Sequence, residues 1–106
     1  MAKDFEALAS GLKTEWSDDT KREYEESVAA FDREIEARLA VGAALALARA
    51  DAGLSQEALA RASRVQQAEI SRIERGHANP TLDTLARLAG AMGRTVSLDV
   101  VSEELA

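Results

Sequence analysis

Short helical segments with well-marked ends, between residues 54 and 93, constrain the fold of this chain more than any other feature. Ser55 and Thr81 are residue types that cap helix N-termini, and Gly76 and Gly93 suit the left-handed position that ends a helix. These signals predict helices over about 56–62, over about 66–75, and from Thr81 to Gly93. Because helices this short depend on tertiary packing for stability, we expect a compact helical unit.

Apolar residues at helical spacing predict which side of these helices faces the core. The predicted core residues are Ile70, Ile73, Leu82, Leu85, Leu88 and Met92. Aliphatic side chains dominate because the aromatic residues all fall in the first third of the chain. A chain of 106 residues is long enough to bury one core, so we expect a single domain with appended segments.

Helical spacing also extends through the front of the chain. Ser17, followed by two aspartates, is suited to cap a helix whose apolar positions are Tyr24, Val28, Phe31, Ile35 and Leu39. The pattern continues through an alanine-rich stretch to Gly53, either as one helix bent near Gly42 or as two helices. Before it, Phe5, Leu8, Leu12 and Trp16 fall on one helical face, in a segment too short to be stable alone. Three alternatives remain for this segment: a stripe docked on its own domain, a partner-binding segment, or a disordered tail.

The C-terminal stretch TVSLDVV alternates apolar and polar residues, the pattern of a short strand. Val96, Leu98 and Val100 lie on one face, with Ser97 and Asp99 on the other. No second strand of comparable quality occurs in the chain. Pairing with the same strand of a second copy is the simplest way to satisfy its backbone, so we assign these three apolar residues to dimerisation.

Charge is unevenly distributed along the chain, whose net charge is −6. Residues 1–40 carry six basic and eleven acidic side chains, whereas residues 54–94 carry six arginines and four acids. The second region is therefore locally basic although the whole chain is acidic. This asymmetry predicts two different partners for the two regions.

Composition also bounds the compartment and the class of protein. The chain has no cysteine, no apolar run near the roughly 20 residues that cross a bilayer, and acids where a signal peptide would be basic. We therefore expect a cytoplasmic protein. No nucleophile with a base, metal-ligand cluster or phosphate-cradling loop is visible, and the single histidine, His77, is interpreted as a surface loop residue. We expect no enzymatic activity and no cofactor.

The motifs LSQEALARASRV, QQAEISRIERG and NPTLDTLARLAGAMG together resemble the lambda-repressor-like (Cro/C1, XRE) helix-turn-helix family. The resemblance covers about forty residues at matching spacing. It implies an all-α fold: a compact domain of about five helices in which residues 56–62 cross the DNA backbone and residues 66–75 enter the major groove. The domain should occupy residues 40–94, between an acidic helical extension over 1–39 and a strand and tail over 95–106.

The predicted DNA-binding residues lie mainly on the second of these helices. Glutamine pairs with adenine and arginine with guanine in the major groove, so Gln66, Gln67 and Arg72 are the candidates for reading bases. The resemblance implies that Gln56 binds a phosphate and braces Gln67. Further predicted contacts are Ala68 with a thymine methyl group, Glu69 with cytosine, and Ser71 and Arg75 with phosphates.

The chain departs from the family pattern at three positions. Arg64 stands where the turn has glycine, so it must adopt a left-handed or modified conformation. Gln66 replaces the usual Ser or Thr cap, and Glu69 brings a carboxylate near the DNA. These departures predict an irregular turn and a modest affinity for DNA.

Size, architecture and charge also resemble, more loosely, antitoxins of the HigA type, which are encoded beside a small basic ribonuclease toxin of the RelE/HigB class. This resemblance implies a dimer that represses its own operon and neutralises the toxin through its acidic front. The predicted partner-binding residues are Phe5, Leu8, Leu12, Trp16, Tyr24 and Phe31. The alternatives are a stand-alone transcriptional regulator and a protein-interaction module that has lost DNA binding.

Overall fold

The computed structural model describes residues 17–102, which form four α-helices. The helices are α1 (Asp18–Asp51), α2 (Gln56–Ser63), α3 (Gln67–Glu74) and α4 (Leu82–Ala91). The chain divides into two compact units, Met1–Glu36 and Ala37–Ala106. The predicted stripe of Phe5, Leu8, Leu12 and Trp16 lies outside the described residues. Helices α2, α3 and α4 confirm the three short helices expected from the capping signals.

Helix α1 decides between the two interpretations of the front of the chain, because it runs as a single helix from Asp18 to Asp51. Ser17 caps it as predicted, its Oγ accepting a hydrogen bond from the backbone N–H of Thr20 at 3.2 Å. Gly42 lies within the helix and is buried. The reason for a glycine at this position is therefore packing against a neighbour.

The close approach at Gly42 joins α1 to the end of α3. A Cβ atom at this position would overlap the carbonyl oxygen of Ile73 and lie 2.8 Å from that of Glu74. Since these are backbone atoms, they cannot move aside as a flexible side chain would. The absence of a side chain at Gly42 thus fixes how closely the candidate DNA-reading helix packs on α1.

The caps of the shorter helices follow the predicted chemistry. Ser55 Oγ accepts from the N–H of Ala58 at 3.0 Å, and Thr81 Oγ1 accepts from the N–H of Thr84 at 3.1 Å. Gly76 and Gly93 have φ of 75° and 71°, the left-handed region that glycine tolerates. The residues at the ends of these helices are therefore the types that local capping chemistry requires.

The core consists of aliphatic residues from all four helices and the turn between α2 and α3. Its buried members are Leu45, Leu59, Val65, Ile70, Ile73 and Leu88. The prediction that Leu82 is a core residue is wrong, since it is 69% exposed. Leu82 is the first residue of α4, beside the cap, and its side chain lies at the solvent-facing end of the helix. Leu85 and Met92 are half-buried.

Two further expectations about the fold need correction. Among residues 17–102 there are four helices rather than about five, because the stretch up to Asp51 forms one continuous helix and the stretch after Gly93 forms none. The predicted C-terminal strand is also missing from these residues. A strand needs a hydrogen-bonded neighbour, and the described part of the chain offers none to residues 95–101.

Candidate nucleic-acid interface

Helix α3 separates an inward face from an outward face as the sequence predicts. Ile70 and Ile73 are fully buried in the core, whereas Gln67 and Arg72 are exposed. Gln67 and Arg72 are five residues apart, about 140° around the helix axis. The buried isoleucines anchor the helix by one side, so only the side with the polar residues is available to a ligand.

The turn before α3 has an unusual conformation at Arg64, which has φ 62° and ψ 26°. It is the one residue other than glycine with positive φ among the described residues, in agreement with the expected left-handed turn. Val65 follows it into the core, and Ser63 Oγ accepts from the Val65 N–H at 3.2 Å. The buried valine and this hydrogen bond hold Arg64 in a conformation that costs about 1 kcal/mol.

Gln66 occupies the N-cap position of α3 with extended backbone angles and makes no side-chain capping bond, which confirms that it is a poorer cap than Ser or Thr. Its exposed side chain therefore lies at the start of α3 without a role in closing the helix. Ala68 is exposed next to it, and Glu69 is half-exposed in the first turn.

A hydrogen bond between two glutamines joins α2 to α3. Gln67 Nε2 donates to Gln56 Oε1 at 2.9 Å, the contact that the family resemblance implied. A glutamine amide carries two N–H donors and one acceptor oxygen. With one donor used, Gln67 retains one N–H and its Oε1, the pair of groups that adenine requires.

An ion pair that sequence reasoning missed extends this contact into the protein. Arg49 Nε and Nη2 donate to the two carboxylate oxygens of Glu74 at 2.6 and 2.9 Å, and Gln56 Nε2 donates to Glu74 Oε1 at 2.9 Å. Arg49 Nη1 also donates to the carbonyl of Leu54 at 2.9 Å. A chain of hydrogen bonds therefore runs from Arg49 through Glu74 and Gln56 to Gln67.

Electrostatics at this ion pair reflect burial and pairing together. Burial raises the pKa of the Glu74 carboxyl. Hydrogen bonds from Arg49 and Gln56, together with the nearby positive charge, lower it by more than burial raises it, so the net pKa lies below the ordinary value. The hydrogen bond to Glu74 raises the pKa of Arg49. Both groups therefore carry charge at neutral pH. No pattern in the sequence pairs residues 25 positions apart, which is why this contact emerges only in the fold.

The remaining predicted DNA contacts lie on or beside the same helix. Arg75 is exposed at the end of α3, and its Nε donates to the carbonyl of Ser71 at 3.3 Å. Ser71 itself is half-buried. Arg75 is thereby held against the final turn of α3 through Nε, while the residue as a whole remains exposed.

The residues predicted to bind a protein partner are only partly described. Phe5, Leu8, Leu12 and Trp16 lie outside residues 17–102, whereas Tyr24 is half-buried and Phe31 is exposed on α1. Within residues 17–102, no helix combines the length and the hydropathy needed to cross a membrane, and no group of acidic and histidine side chains has the arrangement of a metal site.

Two short helices, α2 and α3, joined by a turn and braced against each other by paired glutamines, define a helix-turn-helix domain. The family HTH_3, described as helix-turn-helix, matches residues 45–99. The chain belongs to this family. The part of the chain matched begins within α1 and includes the complete candidate interface.

The chain is also similar to an uncharacterised HTH-type transcriptional regulator of Haemophilus influenzae, with 41% identity over 66 residues that cover 62% of this chain and 67% of the relative. Among solved structures, it resembles an HTH_3 family transcriptional regulator from Vibrio cholerae (TM-score 0.57, 29% identity, 58% of this chain). It also resembles the clp gene regulator ClgR from Corynebacterium glutamicum (TM-score 0.53, 41% identity, 55% of this chain). The chain covers 35% and 62% of these two structures, less than two thirds of either.

Proposed function

We propose that this protein is a transcriptional regulator that binds double-stranded DNA with α3 in the major groove. The observation that carries the proposal is the fixed position of Gln67, which is exposed on α3 and held by Gln56 on α2. A side chain held in place before binding loses less conformational entropy on contact with a base. The names of the relatives, which are transcriptional regulators, support the same function.

The exposed face of α3 supplies the chemistry for reading sequence. Gln67 is assigned to adenine, Arg72 to guanine through paired hydrogen bonds, and Ala68 to a thymine methyl group. Glu69 accepts a hydrogen bond from cytosine N4, and as an anion it also lowers affinity for every duplex. Gln66, at the start of the helix, is assigned to a neighbouring base edge.

Phosphate contacts are assigned to Gln56 at the start of α2, Ser71 within α3 and Arg75 just after α3. Such contacts set the position of the protein on DNA but carry no sequence information. The net charge of −6 opposes binding to a polyanion, and the local excess of arginine between residues 54 and 94 counters it. We therefore expect specific binding that depends strongly on sequence and falls steeply with salt.

In vitro selection from a random duplex library, followed by gel-shift titration, tests this assignment. The double variant Gln67→Ala with Arg72→Ala should lose about 2 to 6 kcal/mol on the selected site, since each paired base contact is worth about 1 to 3 kcal/mol. Arg75→Ala should weaken binding to all duplexes and reduce the salt slope by about one. Arg87→Ala removes an exposed arginine from outside the assigned interface and should leave affinity nearly unchanged.

Unchanged affinity in the double variant would instead favour a protein-interaction module that keeps the fold without reading DNA. Loss of affinity in Arg87→Ala comparable to that in Arg75→Ala would mean that the arginines act only through total charge. Folding of each variant is checked by far-UV circular dichroism before titration.

A second candidate function is neutralisation of a small basic ribonuclease toxin by the front of the chain, with repression of the shared operon by α3. The observation that favours it is the exposed apolar stripe of Val28, Phe31 and Ile35 on α1, flanked by the exposed carboxylates of Asp32 and Glu34. Apolar contact surrounded by negative charge suits a basic protein surface. The same negative charge disfavours contact between this part of α1 and the phosphates of a DNA backbone.

Co-expression with the product of the adjacent reading frame tests this second function. Phe31→Lys should abolish co-purification of a small basic product and rescue of growth from it, because a cation would replace the apolar centre of the stripe. Leu47→Lys is the matched control, since Leu47 is an exposed residue of the same helix away from the acidic segment. Retained rescue in Phe31→Lys leaves the stand-alone regulator as the function.

A further inference from the structure

Residues 95–101, which follow α4, expose apolar side chains. Leu98 and Val100 are 88% and 85% exposed, and Val96 is exposed as well. Among the described residues, none forms a backbone hydrogen bond with residues 95–101. The segment therefore combines a row of unused donors and acceptors with an apolar face, two features that a neighbouring strand would satisfy together.

An apolar groove begins where this segment leaves the domain. It lies between α1 and α4, has a volume of about 320 Å³, and is lined by Val41, Leu45, Leu85, Met92 and Val96 among others. Arg94 is the only charged residue that lines the groove, and its Nη2 lies 3.3 Å from Oδ2 of Asp51. Val96 thus belongs both to the groove and to the apolar face of the segment.

We propose that residues 95–101 pair antiparallel with the same residues of a second copy, about a two-fold axis that passes through Leu98. Side chains alternate along a β-strand, so Val96, Leu98 and Val100 share one face of the paired segments. In this register Leu98 lies opposite Leu98 of the second copy, and Val100 of the second copy lies opposite Val96. The apolar face then continues from the groove of one copy to the groove of the other.

The sequence selects this register over its neighbours. An axis through Asp99 would place two aspartates opposite each other, which is unfavourable. An axis through Ser97 would place Val100 opposite Arg94. If one strand shifted by one residue relative to the other, polar residues of one copy would lie opposite apolar residues of the second copy. With the axis at Leu98, Asp99 instead lies opposite Ser97 of the second copy.

Charge also identifies the second copy as the occupant. The exposed apolar face from Val96 to Val100 carries no charged side chain, so it offers nothing that a basic protein or a nucleic acid would recognise. An identical segment matches it in length, in alternation and in apolar character. The pairing does not depend on DNA binding, so its test is made without DNA and remains informative if the proposed function fails.

Cysteine crosslinking tests the register, because the chain contains no cysteine of its own. Directly opposed residues of an antiparallel pair have Cα atoms about 4.5 to 5.5 Å apart, within the range that a disulfide bridges. Leu98→Cys of the full chain should form a covalent dimer under mild oxidation, seen on a non-reducing gel. Ser97→Cys, also exposed but paired with position 99, should crosslink at least about tenfold more slowly.

Analytical ultracentrifugation of two cysteine-free variants gives an independent measurement. Val100→Glu should raise the dimer dissociation constant by about tenfold or more, because each dimer contains two of the affected cross-strand pairs. Val101→Glu, the same change one residue later on the other face, should have a much smaller effect. A monomeric wild-type chain, equal crosslinking of the two cysteine variants, or equal effects of the two glutamates would overturn the proposal.

Discussion

Removal of the Arg49 guanidinium probes the ion pair that lies behind the candidate interface. Arg49→Met keeps an unbranched apolar stem but removes the guanidinium, so Glu74, which is 7% exposed, loses two hydrogen bonds and its counter-charge. Breaking a buried pair by removing one partner costs about 3 to 5 kcal/mol. Because Arg49 is 21% exposed, water reaches the carboxylate once the guanidinium is gone, so we expect a loss at or below the lower end of this range, about 2 to 3 kcal/mol.

The pH dependence of this loss distinguishes the ion pair from simple packing. In the wild type the folded-state pKa of Glu74 lies below the ordinary value, so its contribution to stability is complete above about pH 4.3 and is lost as pH falls through the folded-state pKa. In Arg49→Met burial remains while pairing is gone, which should raise the pKa above the unfolded value. Protonation then stabilises the variant, so the difference between the two proteins should narrow from about pH 7 to about pH 4.

Urea unfolding followed by far-UV circular dichroism, repeated across this pH range, measures the effect. The double variant Arg49→Met with Glu74→Leu replaces both charges by apolar groups and should recover much of the lost stability. A loss in Arg49→Met that is below about 0.5 kcal/mol, or that is equal at both ends of the pH range, would refute the reasoning. So would a double variant whose loss equals the sum of the two single losses, because that result means the two side chains do not interact.

Three other substitutions test how backbone and burial shape the domain, each measured by the same unfolding assay. Gly42→Ala should destabilise by about 1 to 2 kcal/mol through overlap with α3, whereas Gly90→Ala, where nothing lies within 4 Å of the added Cβ, should stabilise by up to about 1 kcal/mol through helix propensity. Arg64→Gly should stabilise by a few tenths to about 1 kcal/mol by relieving the positive φ, and Arg64→Ala, which keeps a Cβ, should not. Leu82→Gln should cost less than about 0.5 kcal/mol, against about 2 to 5 kcal/mol for Leu88→Ala; a large loss at Leu82 would contradict its exposed position.

Local sequence determined most of the boundaries of the short helices. Ser55, Thr81, Gly76 and Gly93 act through their own side chains or backbone angles, within a few residues of their position in the chain. Such short-range effects can be recognised in the sequence. The same holds for Ile70 and Ile73, whose spacing placed one face of α3 in the core and thereby predicted which face stays exposed.

Periodicity failed where position along an element mattered more than spacing. Leu82 has the spacing of a core residue, yet it lies at the first position of α4, where the helix end is open to solvent. Gly42 is of a residue type that often marks a helix bend, yet its role is to let the backbone of α3 pack closely against α1. Neither outcome follows from the residue type, because each depends on which element lies next to it.

The candidate interface divides in the same way. Sequence alone supplied Gln56, Gln67 and the exposed arginine of α3, because helical period and the family motif both act through residue type and spacing. Only the tertiary structure brought Arg49 of α1 to Glu74 at the end of α3, 25 positions away, and so showed what holds Gln56 in place. A contact of that separation requires the folded path of the chain, since no local interaction links its two partners.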